Sequence, residues 1–197
     1  MRPRSHGGRA GAWPSADVAG PVLRERHGAR PYLMRHAPAN PPWLSSFFRD
    51  TNCPFCNARL FMLTHRYKEY STAGLDVVAF FSATHEQVDE FLRIRPRPFR
   101  VIADPKMSAY QAYGIQRSLA RKVKGVARRP GLWMRGMRIL GFKRTVKAMG
   151  GLRTTNVMPA DILVDEHGRV VEAYYGQDAG DHMPFERIER FIGLGAH

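Results

Sequence analysis

Cysteine is scarce in this sequence, and long apolar runs are absent from it. Two cysteines in 197 residues can neither build a disulfide scaffold nor supply the four thiolates of a structural zinc site. No apolar run approaches the roughly 18 residues that a helix needs to cross a bilayer, so we do not expect a transmembrane protein. A hydrophobic content of 44% instead predicts a folded domain with room for extensions.

Acidic residues are missing from one long segment. Residues 105–160 contain 13 Lys or Arg and no Asp or Glu, and they account for most of the net charge of +14. A chain that is basic throughout would suit a nucleic-acid partner, whereas a local excess indicates an ordinary domain with a basic insertion, at about residues 115–155. We therefore do not expect nucleic acid to be the partner.

Residues 1–42 form a different kind of segment. They are rich in Arg, Pro, Gly, Ala and His and show no helical or strand periodicity, which predicts a disordered or atypical leader. A processed targeting arm and a misplaced start site are the alternatives, so their presence in the mature protein stays open. No export signal is recognisable, and the cytoplasm is the expected compartment.

From residue 43 to residue 193, short apolar runs alternate with helical patterns. We predict strands at 44–48, 75–81, 99–103, 160–164 and 170–175, and core helices at 54–74, 84–94, 108–113 and 184–192. Such alternation requires crossover connections, and it predicts an α/β domain whose mixed sheet is covered by helices on both faces. Residues 194–197 are left as a short tail.

The motif Cys53-Pro54-Phe55-Cys56 follows the first predicted strand and opens the first helix. Unpaired backbone N–H groups and the helix dipole stabilise a negative charge there, which favours a thiolate at Cys53. Pro54 suits the first helical turn, because an N–H at this position would have no hydrogen-bond acceptor within the helix and its absence therefore costs nothing. Cys56 lies one turn further on the same face and can attack a mixed disulfide at Cys53. The motif therefore predicts thiol–disulfide exchange.

The cysteine pair has two other interpretations besides thiol–disulfide exchange. Half of a zinc site would need a second pair of ligands, but the eight histidines are scattered without ligand spacing and are interpreted as solvated or structural. We therefore expect neither a metal nor another cofactor. The second alternative is a pair of inert buried thiols, since cysteine is often simply buried.

The order of elements, with a CxxC after the first strand, resembles the thioredoxin fold. More narrowly, Phe47-Phe48-Arg49, the CxxC and the segment 159–168 resemble the peroxiredoxin-like AhpC/TSA proteins, as does the segment 175–184. The resemblance covers residues 43–116 and 154–193. It implies a thiol-dependent oxidoreductase whose partners are a disulfide or peroxide substrate and a thiol reductant.

The resemblance also implies roles outside the motif. In thioredoxin-like proteins a cis-proline before this strand lies against the dithiol, a place taken here by Pro159, and Met158 would then contact the substrate backbone. Peroxiredoxins have a Thr three residues before the peroxidatic cysteine and a peroxide-binding Arg near the proline position. Asp50 and Pro159 occupy those places, with Arg49 or Arg153 as candidate substitutes for the Arg.

Alignment on the other cysteine leaves the peroxidase pocket equally incomplete. It places Cys53 at the Thr position and Cys56 at the peroxidatic one, so disulfide reduction is the firmer expectation. In the mechanism that we predict, Cys53 is the more exposed thiol and attacks the substrate, and Cys56 resolves the intermediate. Phe55 shapes the rim of the site, and Arg49 lowers the thiol pKa by Coulomb attraction.

The basic insertion indicates an alternative to the oxidoreductase function. Residues 117–150 hold 11 Lys or Arg interleaved with apolar residues at a spacing of three to four, which predicts two amphipathic helices separated at Pro130. These helices have three alternative interpretations: a helical cover on the core, a binding site for an acidic protein, or a peripheral contact with anionic membrane. In the membrane interpretation, Trp133 and Met134 lie at the interface. The alternative function is thus a non-catalytic thioredoxin-fold module that binds membrane or an acidic partner through this insertion.

Overall fold

The computed structural model describes residues 42–141 and 156–194. The predicted leader, the second part of the basic insertion from 142 to 155, and the last three residues lie outside the described residues.

The described residues form five strands and six helices. The strands are β1 (Trp43–Phe48), β2 (Asp76–Phe81), β3 (Arg100–Ala103), β4 (Ala160–Val164) and β5 (Val170–Tyr175). The helices are α1 (Pro54–Thr72), α2 (His85–Ile94), α3 (Ser108–Ala112), α4 (Leu119–Arg128), α5 (Pro130–Leu140) and α6 (Phe185–Phe191). These bounds lie within two residues of the predicted ones, and α4 and α5 are the two helices predicted for the insertion.

The strands form one mixed sheet in the order β3-β2-β1-β4-β5. The first three strands are parallel, β4 runs antiparallel to β1, and β5 runs antiparallel to β4. The register places Ser46 of β1 opposite Asp161 of β4. The predicted mixed α/β sheet is confirmed.

Local sequence signals fix the starts of the helices on either side of β2. Pro54 occupies the first turn of α1, where it removes no helical hydrogen bond. At α2, the Thr84 hydroxyl accepts the Gln87 amide and the Gln87 side chain accepts the Thr84 amide, which is a complete capping box. Because β1 leads into α1 within six residues, these signals place the CxxC at the end of the central strand.

Side chains from the two faces of the sheet enter two separate clusters, because successive strand residues point to opposite faces. One face packs with α1, α2 and α6 and also receives both cysteines. The other face, which we call the aromatic face, packs with α3. Its aromatic core consists of Phe47, Phe80, Tyr110 and Tyr113; Phe47 stacks on Phe80 with ring centroids 4.7 Å apart.

Helix α5 packs on the first cluster through Leu132 and Trp133. The membrane alternative expected Trp133 at an interface, but its side chain is half-buried against the core, while Met134 is 51% exposed. In the described part of the chain, no helix combines the length and apolar character needed to span a membrane.

Candidate redox site

The turn between β1 and α1 positions the two cysteines. Cys53 is the N-cap residue of α1 in an extended conformation, and its carbonyl accepts the Asn57 amide at 3.0 Å, which starts the helical ladder. Cys56 lies one turn inside the helix. Both sulfurs are free thiols, so the structure shows the reduced dithiol at a helix N-terminus, where a thiolate is favoured.

Arg49, the residue that follows β1, contacts both cysteines. Its Nη2 donates to Cys53 Sγ at 3.1 Å and to the Ala179 carbonyl at 3.3 Å, and its backbone N–H donates to Cys56 Sγ at 3.4 Å. The side chain is buried. Burial lowers the pKa of Arg49, but Coulomb attraction to Cys53, Cys56 and Asp50 outweighs burial and raises this pKa above its usual value, so the guanidinium stays charged beside the dithiol.

The two thiols have opposite pKa shifts. Burial raises the pKa of Cys53, but a hydrogen bond from the Cys56 thiol and the charge of Arg49 outweigh it and lower that pKa to about 6. Burial raises the pKa of Cys56 well above its usual value, and its role as donor to Cys53 raises it further. At neutral pH the pair therefore holds one thiolate, at Cys53, and one thiol, at Cys56.

Cys53 is the more exposed of the two thiols, as predicted, but both are buried. Cys53 is 5% exposed and Cys56 is 3% exposed, so neither sulfur reaches the surface. Helix α5 lies nearby and crosses the first turn of α1 so closely that a Cβ at Gly136 would overlap the Pro54 carbonyl. We call residues 119–140 the α4–α5 cover.

Ion pairs of Arg129 join the α4–α5 cover to the segment that follows β5. Its Nε lies 3.2 Å from an Asp178 oxygen, and its Nη2 donates to Asp181 Oδ1 at 2.7 Å. Both carboxylates are buried, whereas the arginine side chain is 41% exposed. Between these acids, Gly180 lies against the Phe55 ring, and a Cβ there would be 2.7 Å from a ring carbon.

A family model described as the AhpC/TSA family matches residues 41–173, more than half of the chain. The chain belongs to the AhpC/TSA family. It is therefore a thiol-dependent oxidoreductase, as the sequence motifs predicted.

Solved peroxiredoxin structures share the fold of this AhpC/TSA protein. Peroxidoxin BcpB from Mycobacterium tuberculosis aligns with a TM-score of 0.52 at 11% identity, over 79% of each chain. Xanthomonas campestris peroxiredoxin Q aligns with a TM-score of 0.52 at 14% identity, over 81% of this chain and 80% of the other. At such identities the likeness establishes the thioredoxin-like fold. No curated protein matches the sequence.

The structure places three of the predicted site residues near the dithiol, and their roles stay predictions. Arg49 contacts the dithiol, Pro54 opens α1, and Phe55 packs beside the cysteines in the same cluster. Asp50, at the position of the peroxiredoxin Thr, has one buried oxygen without a hydrogen bond among the described residues, and burial raises its pKa. Arg153, the other candidate for the peroxide-binding Arg, lies outside the described residues.

Met158 and Pro159 are buried at the start of β4. The Met158 amide, expected to contact substrate backbone, donates to the Gln116 carbonyl at 2.9 Å, and the Pro159 carbonyl accepts the Gly176 amide at 2.9 Å. Both residues line a cavity of about 250 Å³ together with Arg121. The contact of these two residues with the dithiol stays a prediction.

A buried polar network beneath α1 was not foreseen from the sequence. We define it as Ser46, Arg59, Asp161 and His182. The Asp161 carboxylate accepts the Ser46 hydroxyl, pairs with His182 Nδ1 at 2.9 Å and lies 3.8 Å from Arg59 Nη2. Burial raises the pKa of Asp161, but His182 and Arg59 outweigh this and hold it well below its usual range.

No signal in one sequence joins the members of this network, because Ser46 and Asp161 are 115 positions apart. The pairing becomes visible only when the register of β1 and β4 is known. Among residues 42–141 and 156–194 no group of three His, Cys, Asp or Glu side chains could hold a metal ion.

Proposed function

We propose that the protein uses the Cys53–Cys56 dithiol to reduce a disulfide or a peroxide. The observation that carries this proposal is the placement of two free thiols at the N-terminus of α1, where Nη2 of the buried Arg49 lies 3.1 Å from Cys53 Sγ. This arrangement lowers the pKa of Cys53 and raises that of Cys56. A nucleophile must be a thiolate at working pH, and a resolving thiol must stay protonated until it is needed. The pair meets both conditions.

With a disulfide substrate, the Cys53 thiolate attacks one substrate sulfur. The new Cys53–substrate S–S bond forms as the substrate disulfide breaks, and the leaving thiolate takes up a proton. Cys56 then loses its proton and attacks Cys53 Sγ, which releases the second substrate thiol and leaves a Cys53–Cys56 disulfide. An external thiol reductant returns two electrons and restores the dithiol.

With a peroxide substrate, the same thiolate attacks one peroxide oxygen. The O–O bond breaks, an alcohol or water leaves, and Cys53 becomes a sulfenic acid. Cys56 condenses with it, releases water and forms the same disulfide. The Xanthomonas campestris bacterioferritin comigratory protein, which aligns with a TM-score of 0.53 at 12% identity over 81% of this chain and 79% of the other, is described for alkyl peroxide reduction.

Supporting roles follow from position. Arg49 stabilises the Cys53 thiolate, and Pro54 fixes the first turn of α1 so that Cys53 stays at the N-cap. Phe55 fills the space between the dithiol and Gly180. For Met158 and Pro159 we retain the proposed role of a substrate-facing edge at the start of β4.

The test compares two matched serine variants. Cys53→Ser should abolish reduction of both a model disulfide and an alkyl hydroperoxide, because the only low-pKa thiol is lost. Cys56→Ser should retain the first step and accumulate a covalent adduct visible by mass spectrometry, since nothing resolves it. Full turnover by Cys53→Ser would overturn the assignment, and the relative rates on the two substrates decide between disulfide and peroxide chemistry.

A pH titration adds a second readout on the unmodified protein. Alkylation of Cys53 by iodoacetamide should rise with pH around a midpoint of about 6, whereas the urea-unfolded chain should titrate near the ordinary value of about 8.5. A midpoint in the folded protein near that of the unfolded chain would favour the alternative, a non-catalytic module that binds an anionic surface through the basic insertion. The exposed apolar side of α4 is the observation that favours this second candidate.

For the compartment we propose the cytoplasm, where a dithiol of this kind persists as a reversible catalytic pair rather than a structural disulfide. Trapping the thiols by rapid acid quench in intact cells tests this. A dithiol found permanently oxidised would contradict it.

A further inference from the structure

Helix α4 carries its apolar residues on the side that faces away from the protein. Leu119, Val123 and Val126 recur at helical spacing and are 60%, 64% and 39% exposed. We call these three residues the α4 strip. An amphipathic helix on a globular core normally turns such a stripe inward, so α4 has the reverse orientation.

The opposite side of α4 is held against the protein by specific contacts. Gly125 is buried on Ala179, and the Arg129 ion pairs to Asp178 and Asp181 hold the end of the helix. The start is held by the Ser118 amide, which donates to the Asn156 carbonyl at 2.7 Å. Because both ends and the middle are tied down, the outward direction of the α4 strip is a property of the fold.

Exposed cations flank the α4 strip. Lys124 and Arg128 lie on the neighbouring side of the same helix, and Arg138 is exposed on α5. The sequence has no acidic residue between 105 and 160, so no acid from the insertion itself neutralises this surface. An apolar stripe bordered by Lys and Arg is the pattern that binds at the interface of an anionic bilayer, with the cations reaching the headgroups.

From these observations we infer that the α4 strip docks on an anionic lipid surface. The basic segments outside the described residues are unsuited to cover the α4 strip, because their positive charge would repel the cations of α4. Residues 142–155 hold four Lys or Arg and no acid, and residues 1–41 hold seven Arg and two acids. A second copy of this chain would likewise bring like charges together. An anionic bilayer offers both an apolar layer and charges of the opposite sign.

The test is cosedimentation of the full chain with phosphatidylcholine vesicles, with and without phosphatidylglycerol. Binding should require the anionic lipid and weaken with added salt. Replacement of all three members of the α4 strip by serine should lower the partition coefficient by more than about tenfold, because the buried apolar area is lost. The matched control replaces Ile94, Val171 and Leu194, which are 45%, 38% and 37% exposed elsewhere, and should bind like the wild type.

A series of charge variants distinguishes electrostatic attraction to anionic lipid from nonspecific hydrophobic adsorption. Lys124→Gln with Arg128→Gln should weaken binding and flatten its salt dependence, whereas Lys68→Gln with Arg93→Gln, exposed on other helices, should change neither. Circular dichroism and thiol alkylation rates check that each variant is folded. These readouts do not depend on the proposed dithiol activity.

Three results would overturn the inference. One is the absence of cosedimentation with anionic vesicles at low salt. Another is equal binding by the serine variant of the α4 strip or equal binding to neutral vesicles. The third is self-association of the free chain that the same variant abolishes, without any vesicle binding, which would assign the α4 strip to a second copy.

Discussion

The two faces of the sheet bury different chemistry. On the aromatic face, rings pack edge to face and in stacks, and the Tyr110 hydroxyl donates to backbone carbonyls of Phe48 and Phe80. On the other face, the same strands hold the polar network and lead into the dithiol. The difference shows that both faces bury an apolar core, while the face that carries the dithiol also buries a charged network.

The first way to challenge this comparison is to damage the aromatic face alone. Phe80→Ala removes a fully buried ring that stacks on Phe47 and should lower the free energy of unfolding by about 4 kcal/mol, from lost burial and the cavity left behind. Cys53 should still titrate around a midpoint of about 6. Urea unfolding and iodoacetamide titration measure the two effects separately. A shifted midpoint in the folded variant would mean that the faces are not independent.

The second prediction removes the charge at the centre of the polar network. Asp161→Asn leaves Arg59 buried without its counter-ion and weakens the hydrogen bond to His182, so it should cost about 3 kcal/mol of unfolding free energy. The pKa of Asp161 is lowered by folding, so this contribution is complete above the unfolded value of about 3.9 and is lost as pH falls below it. The difference in unfolding free energy between the wild type and the variant should therefore become smaller at acidic pH. Glu166→Gln, at an exposed turn, is the control and should change little.

The third prediction tests the charge beside the dithiol. Arg49→Met keeps the packing volume but removes the cation that donates to Cys53, so the pKa of Cys53 should rise by roughly one to two units. Alkylation near pH 6 should then fall about tenfold. Arg93→Met, at an exposed position on α2, should leave the titration unchanged. An unaltered midpoint in Arg49→Met would assign the low pKa to the helix N-terminus and Cys56 alone.

Features set by neighbours in sequence were predictable. The cysteine at the start of α1, the proline after it and the capping box between Thr84 and Gln87 all depend on residues within four positions of each other. The alternation of apolar runs likewise predicted the strands, and their order predicted the mixed sheet. The dithiol and its helix were therefore visible in the sequence.

Features that depend on contacts between residues far apart in the sequence could not be predicted. The pairing of Ser46 with Asp161 requires the strand register, and the crossing of α5 over α1 joins Gly136 to Pro54, which are far apart in the sequence. The periodicity of α4 correctly indicated an amphipathic helix. It could not say which side faces the protein, because that is decided by contacts of Gly125 and Arg129 with the segment after β5.

The smallest predicted effect concerns how substrates reach a thiol that is 5% exposed. We expect chemistry at Cys53 to depend on local opening of the α4–α5 cover, which Arg129 ties to Asp178 and Asp181. Arg129→Ala removes both ion pairs but leaves the apolar contacts of α5 in place. We expect opening to become easier by about 1 kcal/mol, because the arginine is partly exposed and its pairs are screened by water. Alkylation of Cys53 above pH 8 should then be about fivefold faster. Arg169→Ala, which removes a similar ion pair to Asp165 at an exposed turn, should leave the rate unchanged. Equal rates in wild type and Arg129→Ala would mean that substrates reach the dithiol by a path that the cover does not control.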